Sequence, residues 1–61
     1  MQNYLARMMT ERDDLKGKIS RAKKAVENPP FNAKRLDLLS KQITYMEGYL
    51  EVLEQRISLE S

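Results

Sequence analysis

The chain has 61 residues, about half of a usual domain, which excludes a second domain and leaves room for only a thin core. With 41% hydrophobic and 33% charged residues and only two Gly and two Pro, its composition suits a helical rod better than a sandwich, a barrel or a disordered tail. It has no Cys and no His, which removes disulfides, thiolate and imidazole metal sites, cysteine nucleophiles and imidazole-based triads. The expectation is a non-enzyme with no cofactor and no metal. No apolar run approaches the roughly 18 residues of a membrane span, and Met1 to Thr10 lacks the contiguous apolar segment of a signal peptide, so a soluble, cytoplasmic protein is expected.

Asn3 is a plausible N-cap, and from Leu5 the residues Met8, Arg12, Leu15, Ile19, Ala22 and Val26 recur at spacings of three and four, the seam of a coiled-coil helix over 3–27. Arg12 is its one charged member. Thr10-Glu11-Arg12-Asp13 is a weak rival start of the capping-box type. Asn28-Pro29-Pro30-Phe31-Asn32 interrupts the helix, because each proline removes an amide donor and disfavours helical geometry in the residue before it. A Pro-Pro turn over 28–32 is expected, plugged by Phe31. Asn32 then caps a second helix over 33–59, with the seam Leu36, Leu39, Ile43, Met46, Leu50, Leu53 and Ile57.

Two antiparallel helices with a short connection should pair residues whose numbers add to a constant, and the two seams do so at 61 or 62, from Val26/Leu36 to Leu5/Ile57. The fold class expected is all-α, an antiparallel two-helix hairpin forming a single unit over 1–61. The second helix carries a further stripe, Leu38, Tyr45, Tyr49, Val52 and Leu59, with Gln42 and Arg56 in its gaps, set roughly 100° around from the seam. A hairpin hides one seam per helix, so this stripe calls for further copies and a symmetric oligomeric helical bundle, anywhere from dimer to hexamer.

The net charge of +2 hides a segregation. Between Lys16 and Lys41 eight cations face two acids, giving +6, and the rest of the chain sums to −4. Lys34 and Arg35 open the second helix, where the dipole is already positive, and Lys24 closes the first; cations beside unpaired amides make an anion-binding arrangement. Arg12 needs a partner inside its apolar seam, either Asp13, Glu51 or a glutamate of another copy, or a bound phosphate or carboxylate. Tyr45 and Tyr49, one turn apart, serve as interface fillers or as stacking faces for a base. The modest net charge and the lack of a base-reading motif argue against nucleic acid as partner.

The run Leu38-Leu39-Ser40-Lys41-Gln42-Ile43-Thr44-Tyr45-Met46-Glu47-Gly48-Tyr49-Leu50-Glu51-Val52-Leu53-Glu54-Gln55-Arg56-Ile57 resembles a Leu-Leu…Gln…Met…Tyr-Leu…Leu…Arg-Ile pattern of short phage-encoded proteins related to a small crAss-like phage protein. More distantly, the organisation looks like the hairpin domain of phage anti-CBASS and anti-Thoeris sponges. That resemblance implies a phage anti-defence protein in the cytoplasm of an infected bacterium. It would sequester a cyclic nucleotide or cyclic ADP-ribose derivative at subunit junctions of a homo-oligomer, without catalysis. The ligand-binding residues would be Arg12, Lys24, Lys34, Arg35, Tyr45, Tyr49 and Arg56. The alternative is a helical-bundle interaction module or inhibitor that binds a host protein.

Overall fold

A computed structural model describes residues 3–27 and 32–61. Two helices, α1 (Tyr4–Glu27) and α2 (Ala33–Glu60), lie side by side in a rod with principal extents of 44 × 18 × 13 Å. Apart from Asn32, the expected Pro-Pro turn lies outside the described residues, and so does the Phe31 plug.

Both helices begin where an asparagine satisfies a free amide. Asn3 Oδ1 accepts from the Ala6 amide at 2.7 Å, and Asn32 Oδ1 accepts from the Arg35 amide at 2.9 Å. Each cap contributes about 1 kcal/mol. Thr10 is no cap: it sits inside α1, its hydroxyl donating to the Ala6 carbonyl at 3.2 Å, so the rival start is excluded. Among the described residues no helix is long and apolar enough to cross a membrane.

The seams are the core. Met8, Leu15, Ile19, Leu53 and Ile57 are buried in one cluster, with Leu5, Met9, Met46 and Leu50 packed against it. Leu53 is the most enclosed, at 0% exposure, and burial of such a side chain is worth about 1.5–3 kcal/mol. Ile43 is buried nearer the connection, where Ala22, Val26, Leu36 and Leu39 are only half-buried. The end remote from the connection is therefore the better packed.

The register differs from the one expected. On one flank Lys16 Nζ meets Glu54 Oε1 at 3.6 Å and Lys23 Nζ meets Glu47 Oε2 at 2.9 Å, pairs whose numbers add to 70. On the other flank Arg56 bonds Tyr4, a pair adding to 60. The seam between them thus faces itself at 65, not at 61 or 62. Met8 stands level with Ile57, Arg12 with Leu53, Leu15 with Leu50, Ile19 with Met46 and Ala22 with Ile43. An alternating three-four seam accepts either alignment, and in this one Lys16 meets Glu54 and Lys23 meets Glu47 along its edge. The ion pairs are half exposed, so each is worth about 0–1 kcal/mol; they select the alignment more than they stabilise it. Because Glu27 stands level with Leu38, the first turn of α2 projects beyond the last turn of α1.

Leu53→Ala should lower the unfolding free energy by about 2–5 kcal/mol, read from the midpoint of urea denaturation. In a double-mutant cycle, Lys23→Ala and Glu47→Ala should show a coupling of about 0.5 kcal/mol that 1 M salt removes. Coupling between Lys23 and a glutamate other than Glu47 would disprove the register.

Candidate functional site

The stripe left over on α2 is in solvent. Leu38 is 57% exposed, Tyr45 75%, Tyr49 45%, Val52 55% and Leu59 85%, so the hairpin covers none of them well. A shallow groove of about 430 Å³ runs along this face, lined by Leu38, Lys41, Gln42, Tyr45, Met46 and Tyr49. A second groove of about 340 Å³ opens between the helices on the same flank. Its walls include Arg7, Glu11, Asp14 and Lys18, and Tyr49 forms the partition between the two. Helical spacing produces this arrangement: residues three, four and seven apart share a face, which places Leu38, Lys41 and Gln42 one to two turns from Tyr45.

The seven expected ligand residues divide by position. Arg35, Tyr49 and Arg56 are separated by multiples of seven residues on one line of α2, and Tyr45 is one turn from Tyr49, so these four share the stripe. Arg35 and Arg56 are nevertheless separated by roughly 30 Å along the helix, too far for one small molecule on one chain. Lys34, exposed on the first turn of α2, adjoins the stripe through Leu38. Lys24 is exposed on the outer face of α1, away from the groove.

Arg12 stays in the seam. Its side chain is 28% exposed, and Nε donates to Asp13 Oδ1 at 3.1 Å. The guanidinium thus reaches the rim while its stem packs among apolar neighbours, the usual compromise for a long cation at a seam position. Sequence reasoning passed over Lys41 and Gln42 as site residues; their spacing of four and three from Tyr45 was the signal. Lys41 forms an exposed ion pair with Asp37 at 3.3 Å.

Arg56 is held in place from α1. It donates to the Tyr4 hydroxyl, and its guanidinium carbon lies 5.8 Å from the centroid of the Tyr4 ring. The Tyr4 hydrogen bond pushes the Arg56 pKa up from its ordinary value, in a group that is cationic at any physiological pH. Among the described residues, Arg7, Lys18, Arg21, Lys24, Lys34, Arg35 and Arg56 make no ion pair. No group of three or more carboxylates among the described residues is arranged to hold a metal.

A family model described as Sequestin matches residues 2–59. The chain belongs to the Sequestin family. The match spans both helices, and the family name suggests a sequestering, binding function. No curated protein and no solved structure matches the chain.

Arg12→Met should keep or raise stability, by up to about 1 kcal/mol, since a seam cation tied only to an exposed carboxylate gives way to an apolar side chain of similar length. Thermal unfolding checks this. A drop of several degrees would show that Arg12 holds more than Asp13.

Proposed function

We infer that this member of the Sequestin family is a phage-type anti-defence protein. It sequesters a nucleotide-derived immune second messenger, a cyclic nucleotide or a cyclic ADP-ribose derivative, at subunit junctions of a homo-oligomer and without catalysis. The observation that carries the reading is the exposed pair Tyr45 and Tyr49 on an apolar groove beside cations that have little or no internal neutralisation. Aromatic faces accept a base by stacking, worth about 1–3 kcal/mol per base, and Lys or Arg donors take phosphate oxygens.

The need for a second copy follows from shape. A tight small-molecule site encloses roughly 70–90% of its ligand, and the α2 groove is an open trough. A neighbouring chain laid over it supplies the missing wall and, by symmetry, as many sites as there are equivalent junctions. Arg35, Lys41, Tyr45, Tyr49 and Arg56 are the contacts in this reading, while Lys24 and Lys34 add attraction at longer range. Each bound messenger is withheld from its receptor, so protection of the phage scales with the amount of protein. The reading puts the protein in the cytoplasm of the infected host, where such messengers are made.

Calorimetry against cyclic dinucleotides, cyclic trinucleotides and ADP-ribose derivatives should find one class that binds and is recovered chemically unchanged after heat denaturation of the protein. Tyr45→Ala should weaken that binding by roughly tenfold or more with the helical circular dichroism spectrum intact. Silence across the panel, with a stoichiometric host protein retained from lysate, would replace this reading with the interaction module.

A further inference from the structure

We propose that the α2 stripe is the contact between two copies of the chain, laid antiparallel about a two-fold axis near Gly48, and that this contact assembles an anion site from Arg56 of one copy and Lys41 of the other. The proposal rests on the reading above only in giving its subunit junction a geometry.

The stripe has the size and symmetry for such a contact. From their exposures and the usual areas of such side chains, Leu38, Tyr45, Tyr49, Val52 and Leu59 present on the order of 600 Å² per chain. Two copies remove on the order of 1,200 Å² from water, the lower edge of stable specific interfaces. Both ends of the stripe are leucine and its middle is aromatic and β-branched, so reversing it upon itself sets Leu38 against the second copy's Leu59 position and Tyr45 against its Val52 position.

Charge decides the direction. With the seam facing itself at 65, the half of the rod nearer the connection holds eight cations and three acids, for +5, and the other half three cations and six acids, for −3. The rod is 44 Å long, several times the Debye length of about 8 Å at physiological salt, so each end interacts on its own. Parallel copies would set +5 against +5. Antiparallel copies set +5 against −3 at both ends.

Gly48 marks the crossing. A Cβ added there would meet nothing within 4 Å, so the hairpin's own packing has no use for the glycine, although a glycine inside a helix costs about 1 kcal/mol relative to alanine. It lies between Tyr45 and Val52 at the centre of the stripe, where a missing side chain lets a second helix approach.

The same pairing brings Arg56 within about one helical turn of the partner's Lys41, once at each end of the dimer. Arg56 donates to the Tyr4 hydroxyl and makes no ion pair among the described residues, with Glu11 and Glu60 near enough to favour its charge, and Lys41 carries the exposed carboxylate of Asp37 at 3.3 Å. Exposed carboxylates hold these cations only loosely, so an anion with several oxygens can take donors from both at once, and Tyr45 stands one turn from Lys41 to flank it.

The chain has no cysteine, so Leu38→Cys and Leu59→Cys can be introduced singly at these exposed positions and treated with a bismaleimide. A reagent of about 10 Å reach bridges Leu38→Cys to the partner's Leu59→Cys in a mixture, but not like to like, since identical ends stand roughly 30 Å apart. Linked dimer in the mixture and in neither single variant is the expected result. Linkage within each single variant, or none in any sample, overturns the antiparallel contact. At constant ionic strength pyrophosphate should raise the association constant of the unmodified chain several-fold in sedimentation equilibrium, and Arg56→Gln should abolish the effect; no response to pyrophosphate overturns the anion site. Neither readout involves a messenger. A chain that links as described yet binds no nucleotide refutes the sequestration reading alone, and one that binds nucleotide as a monomer refutes this proposal alone.

Discussion

A helix in water must hide its apolar face, and here each helix has one partner to hide it with. The α1 and α2 seams close on each other, with Leu53 sealed at the best-packed level and Met8, Leu15, Ile19 and Ile57 around it. That single contact sets the roll of both helices, and everything else on their surfaces is placed as a consequence. On one edge it aligns Lys16 with Glu54 and Lys23 with Glu47. On the other it leaves the α2 stripe turned outward, because a second apolar line roughly 100° away cannot reach the same partner.

The two edges are chemically distinct for the same reason. The edge with the cross-helix ion pairs is satisfied within the chain and has the mixed-charge character of a solvated coiled-coil flank. The opposite edge combines exposed tyrosines, an open groove, Lys41 with its exposed Asp37 partner, and Arg35 and Arg56, which make no ion pair among the described residues. Membership of the Sequestin family gives that imbalance a direction: a surface unfinished within one chain suits a protein that binds rather than one that transforms.

Much of this was legible in the residues. Asn3 and Asn32 were readable as caps because their side chains offer an acceptor to free amides at the start of an apolar periodic run. The stripe from Leu38 to Leu59 was readable as exposed because its spacing is helical but out of phase with the seam. The register was not. Seams alternating by three and four can slide by about one turn and still pair apolar with apolar, so the layers alone admitted both 61–62 and 65; the deciding information lay in flank charges whose partners are set by length and reach. Arg12 was readable as needing a partner, but whether that partner was Asp13 or something external depended on a side-chain path visible only in three dimensions. Lys41 and Gln42 line the groove through their helical spacing from Tyr45, and Lys41 carries no signal of its own in the sequence because a cation paired at i,i+4 with Asp37 reads as an ordinary solvated helix face.

The offset of the two helices has one more effect. Lys34 and Arg35 ride on a turn of α2 that overshoots the end of α1, so they lean on little of the core, and the buried cluster lies at the far end of the rod. Changes of charge at this tip alter what the molecule attracts while leaving what keeps it folded almost untouched. The surface potential of the rod can therefore be varied one residue at a time at little cost in folding free energy.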